Sequence, residues 1–110
     1  MGAYIDREGS VVGLHSENVG NSTVRVRTRV IGTKVMVDAF EYGDPADKPV
    51  SKTAITRIIR TAAKPHAPVL GTPRIISDAT IVRDRNRLDS NGNVDTSQMR
   101  IRSTTFVLGK

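Results

Sequence analysis

The chain contains no cysteine and no tryptophan. It can therefore build neither a disulfide framework nor a thiolate metal site. Its four aromatic residues are Tyr4, Phe40, Tyr42 and Phe106, which limits any platform on which nucleic-acid bases could stack. No apolar run approaches the roughly 20 residues needed to cross a bilayer, so no membrane partner is expected. Asp6, Arg7 and Glu8 stand where a secretory signal would be apolar, and a cytoplasmic location is expected. Also missing are the Gly-x-Ser-x-Gly elbow, the phosphate-binding Walker loop and Gly-x-Gly-x-x-Gly. No serine sits in a patterned arrangement with a base and an orienting acid. Glu17 stands two residues from His15, but two histidines without a patterned set of carboxylates or thiols make a poor zinc site. The reading is of a non-enzymatic protein without cofactor or metal.

What remains is charge and alternation. The 110 residues suit one domain, 1–110. The net charge is +6, with 17 basic against 11 acidic side chains, and it is lopsided. Residues 1–50 hold 6 basic and 7 acidic groups; residues 51–110 hold 11 and 4. Arginine outnumbers lysine 12 to 5, and its planar fork matches phosphate better than a merely solvated surface requires. An anionic partner is indicated.

The strongest pattern runs from Val24 to Tyr42. Val24, Val26, Thr28 and Val30 alternate with Arg25, Arg27 and Arg29. Successive strand side chains point to opposite faces, so this is a half-buried strand with an arginine stripe on its open side. Gly32-Thr33 can reverse the chain into a second strand, Lys34 to Tyr42, where Val35, Val37 and Ala39 alternate with Lys34, Met36, Asp38 and Phe40. Before this ribbon, Ala3-Tyr4-Ile5 and Val11-Val12-Gly13-Leu14 suit short strands, and Glu17 to Ser22 reads as a loop.

After it, Pro45 and Pro49 end the strand region. Ser51 then suits a helix cap, with Val50 and Ile55 at hydrophobic-staple spacing. Ala54, Ile55, Ile58, Ile59, Ala62 and Ala63 form one apolar stripe of helical period, which Pro65 stops. Residues 65–73 read as a stiff proline-rich loop. Strands are predicted from Arg74 to about Arg85 and from Gln98 to Leu108, joined by the turn Asp89-Ser90-Asn91-Gly92-Asn93. The acidic and amide spacing of that turn falls out of register with a calcium loop, because Val94 occupies the required glycine position.

Arg83, Arg85 and Arg87 alternate on the outgoing arm of this hairpin, and Arg100 and Arg102 on the returning one. Two readings compete for them. They can track phosphates as a cationic flap, or pair with Asp84, Asp89 and Asp95 on a solvated edge. The order strand, ribbon, helix, hairpin resembles the β-β-β-α-β-β order of the OB-fold. Ile81-Val82-Arg83-Asp84-Arg85, then Asp89-Ser90-Asn91-Gly92, then Arg100-Ile101-Arg102 is similar to the last hairpin of bacterial single-stranded-DNA-binding proteins. That resemblance implies a mainly β protein with one helix: a small five-stranded OB-like antiparallel barrel or sheet packed on a single amphipathic helix. It also implies a groove in which aromatics stack on bases, with Phe40 and then Tyr42 as the candidates here.

The expected partner is DNA or RNA, most simply single-stranded, and the chain is expected to be a homo-oligomer. The candidate contacts are Arg25, Arg27, Arg29, Lys34, Phe40, Arg83, Arg85, Arg87, Arg100 and Arg102. The alternative is a self-assembling structural protein, such as a small viral or phage coat whose basic sheet faces nucleic acid and which resides in the virion. A domain that docks on an acidic protein is a third reading.

Overall fold

The computed structural model describes residues 9–66, 73–95 and 97–108. The protein is mainly β with one helix. Strands β1 (Ser10–Val19), β2 (Ser22–Ile31) and β3 (Lys34–Gly43) precede helix α1 (Lys52–Ala63). After it come β4 (Arg74–Asp84), the short β5 (Arg87–Leu88) and β6 (Val94–Asp95), and β7 (Gln98–Leu108). One antiparallel sheet has the order β1-β2-β3-β7-β4, and β5-β6 form a separate two-stranded ribbon.

The β1–β2 and β2–β3 connections are two-residue turns led by Gly20 and Gly32, both at φ near +60°. Such turns match the twist of the strands they join but need a left-handed residue, which glycine supplies without strain. The first of them corrects the expectation of a loop over residues 17–22. Glu17, Asn18 and Val19 are paired with Val24, Thr23 and Ser22. The strand also extends well beyond Val11–Leu14. Its polar half carries no apolar alternation because β1 is an edge, so pattern alone could not reveal it. Ala3-Tyr4-Ile5 and most of the proline-rich loop lie outside the described residues.

The helix forms as its sequence predicts. The Ser51 hydroxyl accepts a hydrogen bond from the Ala54 amide at 3.2 Å, and Val50 and Ile55 are both buried. Ile58, Ile59 and Ala63 are fully enclosed. They rest on Val24, Val26, Val35, Val37, Phe106 and Leu108, which all belong to one face of the sheet. Full burial of one isoleucine contributes about 1.5–3 kcal/mol, enough to offset the modest helix propensity of β-branched residues. The helix rests mainly on β1, β2 and β3.

The sheet is open. β1 and β4 are two separate edges and do not meet, so the barrel form of the expected fold is replaced by its sheet form. β4 and β7 pair as a hairpin as expected, but the connection between them folds into the β5–β6 ribbon. Its tip is a side-chain-stabilised turn: the Asp89 carboxylate accepts the amides of Asn91 (2.8 Å) and Asn93 (2.9 Å). That work explains the Asp-Asn spacing without a metal, and no cluster of three potential ligands occurs among the described residues.

Candidate nucleic-acid interface

One face of the sheet carries the helix; among the described residues no element packs on the other, the bare face. Register assigns each side chain to a face. Four rows cross the bare face from β2 through β3 and β7 to β4. They read Arg29-Met36-Val107-Arg74, Arg27-Asp38-Thr105-Ser77, Arg25-Phe40-Ser103-Ala79 and Thr23-Tyr42-Ile101-Ile81. Lys34 begins β3 on this face and Arg83 ends β4 on it. Among the described residues of the five-stranded sheet, the bare face thus presents six cations (Arg25, Arg27, Arg29, Lys34, Arg74 and Arg83) and a single carboxylate, Asp38.

Asp38 organises the centre of this surface. Arg29 donates to both of its oxygens, from Nε at 2.7 Å and from Nη2 at 3.0 Å. Arg27 Nε donates at 3.1 Å and Thr105 Oγ1 at 2.9 Å. Forked, charge-assisted bonds of this kind fix the guanidinium plane as well as its position. Burial beneath the arginines opposes ionisation of Asp38, but the bonds from Arg29, Thr105 and Arg27 outweigh it and hold the carboxyl below its ordinary range. The Arg29 side chain is 12% exposed and that of Arg27 42%, so Arg27 is the more open of the two to a ligand.

The aromatic side chains flank the same row. The Arg27 guanidinium lies 5.9 Å from the Phe40 ring centre, and that of Arg25 lies 5.7 Å from the Tyr42 ring centre. Contacts of this geometry contribute about 0.5–1 kcal/mol at exposed sites and keep the cations spread over the sheet. A shallow groove runs beside them, lined by Leu14, Ser16, Arg25, Arg27, Phe40 and Tyr42. Arg25 is exposed.

The ten predicted contact residues divide. Arg25, Arg27, Arg29, Lys34 and Phe40 share one continuous patch, and Arg83 shares the face at the far edge strand. Arg85 and Arg87 sit by the ribbon beyond the sheet, where Arg87 Nε donates to Asp95 at 3.3 Å.

Arg100 and Arg102 lie on the opposite face, which separates them from the basic row. Arg100 is buried: its Nη1 donates to the Asp47 carbonyl at 2.6 Å and its Nη2 to the Glu41 carboxylate at 3.2 Å. Glu41 also accepts the Val50 amide at 3.1 Å. This cluster ties the segment before the helix to the sheet. It also fixes Gly43, where an added Cβ would come within 2.9 Å of Ser22 Oγ and 3.3 Å of Arg100 Nη2. Arg102 forks onto Asp78 at 3.1 and 2.9 Å. The bond from Arg102 depresses the Asp78 carboxyl, and that same bond raises the Arg102 guanidinium further. These two arginines pair with Glu41 and Asp78 instead of the hairpin acids Asp84, Asp89 and Asp95, and their role is structural; of the expected edge pairs, Arg87 with Asp95 forms.

Arg74 and Asp38 belong to the surface but were not among the predicted contacts. Arg74 stands alone in its strand's alternation, and a bulge at Ile75–Ser77 shifts its face. The signal for Asp38 was present: it falls in the polar half of the alternation, opposite an arginine stripe. No family model, curated protein or solved structure matches this chain.

Proposed function

We propose that the bare face of the sheet binds nucleic acid through its phosphate backbone, most simply as a single strand. The observation that carries this reading is the separation of charge between the two faces. Among the described residues of the sheet, six cations against one carboxylate lie on the uncovered side, whereas Glu17, Glu41, Asp78 and Asp84 lie on the helix side, the first three paired with Arg57, Arg100 and Arg102. A surface built only for solubility has no reason to segregate its carboxylates. Alternate residues along β2 stand about 6.7 Å apart, close to the separation of successive phosphates in an extended strand. Phe40 and Tyr42 offer ring faces beside that row, and they tolerate any base sequence. Contacts of this kind position a backbone and carry no sequence information.

A self-assembling role is the second reading, favoured by two sheet edges that no described strand pairs, and it is compatible with a basic face turned toward enclosed nucleic acid. Among the described residues no helix is long and apolar enough to cross a membrane.

The test is the salt dependence of affinity for a single-stranded oligonucleotide. For single strands log K falls with log salt by about 0.7 per phosphate contact. A slope of about −2 is expected if the three β2 arginines alone engage, and about −4 if all six cations do. Arg25→Ala should flatten the slope by about 0.7, whereas Arg102→Ala, on the far face, should leave it unchanged. A salt-independent affinity, or equal effects of the two substitutions, would refute the proposal.

A further inference from the structure

We infer that β4 is a self-association edge, at which a second copy of this chain adds its own β4 antiparallel across a twofold axis through Ala79. β4 is an 11-residue strand with no buried residue. Ile75, Ile76, Ile81 and Val82 are 42, 49, 52 and 50% exposed. Among the described residues, no strand lies beside its outer row of backbone N–H and C=O groups. Folded proteins blunt such edges with charge, proline, brevity or a covering element. Here Pro73 and the charges Arg74, Arg83 and Asp84 stand at the ends. The one central charge, Asp78, is turned inward onto Arg102 and Thr104 of its own sheet. The stretch Ala79-Thr80-Ile81-Val82 is left uncharged and open.

Three observations select a second copy as the occupant. First, β4 carries Arg74 and Arg83 against Asp78 and Asp84. That strand is neutral in a chain of net charge +6, so two copies meet along it with little repulsion.

Second, the strand is complementary to itself. In an antiparallel pair, opposite residues share a face, and a twofold axis normal to the sheet keeps both bare faces on one side. With Ala79 on the axis, Thr80 stands opposite Asp78 of the other copy and Ile81 opposite Ser77. The bulged Ile75-Ile76 meets Val82, apolar against apolar on the helix side. Past the bulge, Arg83 stands opposite Arg74 of the second copy on the bare face. Asp84, which has no hydrogen-bond or ion-pair partner among the described residues of its own chain, lies one position further on the helix side. The strand ends therefore set no attractive charge pair, and the uncharged centre carries the affinity.

Third, α1 leaves the β7–β4 half of its own face uncovered. A trough beside the helix, walled by Ile55, Ile75 and Phe106 and rimmed by the charged Glu41, Lys52 and Arg102, lies next to this edge. Self-pairing of β4 brings the two troughs together around the axis.

The absence of cysteine makes the test direct. A single Ala79→Cys substitution would place two thiols on the axis, where antiparallel Cα atoms lie about 4.5–5.5 Å apart, within disulfide reach. Under mild oxidation without nucleic acid, Ala79→Cys should form a covalent dimer rapidly, and Ser16→Cys on the opposite edge strand should not. Light scattering of the unmodified chain should give a dimer, and Ile81→Lys should convert it to a folded monomer by circular dichroism. Three outcomes would overturn the inference. One is a chain that stays monomeric at high concentration. Another is a dimer that is indifferent to Ile81→Lys and that Ala79→Cys does not cross-link. The third is an open-ended assembly that cross-links between β1 and β4, which would signify head-to-tail addition instead. All readouts are taken without nucleic acid, so they are independent of the proposed binding.

Discussion

Replacing Asp38 by asparagine should weaken the fold and strengthen binding, and this opposition of sign tests the surface most sharply. The substitution is nearly isosteric. It removes the only sheet carboxylate on the bare face and replaces one acceptor oxygen with an amide that faces the Nε donors of Arg27 and Arg29. The Thr105 bond can persist. Net loss of a hydrogen bond to a charged group costs about 1.5–3 kcal/mol, and partial exposure of Arg27 reduces its share. A cost of about 2 kcal/mol lowers the Tm of a domain of this size by about 10 °C. Binding changes the other way. A negative charge about 6 Å from a bound phosphate repels it by about 0.7 kcal/mol at the dielectric of water, so its removal should tighten affinity about threefold. Thermal unfolding and a fluorescence-anisotropy titration, the latter well below the new Tm, measure the two effects separately. If affinity falls in step with stability, Asp38 serves to hold the arginines in their binding pose, and the view of it as a competitor of phosphate is wrong. If Tm does not move, the ion pairs drawn here contribute nothing.

Two further substitutions bear on the other face, and one titration on both. Arg100→Ala strands the buried Glu41 carboxylate and should cost about 3–5 kcal/mol, read by urea denaturation, while the salt slope of binding stays as in the parent. Ser51→Ala should cost about 1 kcal/mol through loss of the helix cap, again by denaturation. Asp38 and Asp78 both have folded-state values depressed below the ordinary 3.8. The stability they contribute is therefore complete above that value and disappears as pH falls through it toward their lower folded values. A denaturation series from pH 6 to pH 2 should show this fall, and Asp38→Asn should make it shallower. An unchanged profile in the variant would count against the Asp38 pairing.

Much of the scaffold was legible because periodicity reports burial directly. Val24, Val26 and Thr28 on β2, Val35, Val37 and Ala39 on β3, and Ile55, Ile58 and Ile59 on the helix all face the core as their spacing requires. The same rule, carried further, would have placed two of the predicted contacts. Glu41 continues the buried series of Val35, Val37 and Ala39. Arg100 and Arg102 continue that of Thr104, Phe106 and Leu108. A buried glutamate and two arginines in one register are a structural ion cluster before they are a binding row. What alternation could not give was edge β1, whose outer half lacks an apolar face. Nor could it give the bulge in β4, which is a local change of register, or the choice between a closed barrel and an open sheet. That choice depends on whether β1 and β4 come together in space.

The two proposed surfaces are linked by symmetry. A twofold axis normal to the sheet puts both bare faces on the same side, so self-pairing at β4 makes one ten-stranded platform with twelve cations, six from each copy. The two β2 arginine rows would then lie seven strand spacings apart, about 34 Å. A short oligonucleotide can engage only one row. A long one can reach both, and its second contact is intramolecular, with an effective concentration set by the intervening nucleotides. Affinity should therefore rise gradually with oligonucleotide length and then jump once the strand spans the platform. In Ile81→Lys, whose lysine adds one cation to the bare face and so lifts the whole curve, the gradual rise should persist and the jump should vanish, because the monomer offers a single row. Affinity that climbs smoothly with length in both proteins would separate the two surfaces. Binding would then belong to β2 and β3 alone, and association at β4 would serve some other end.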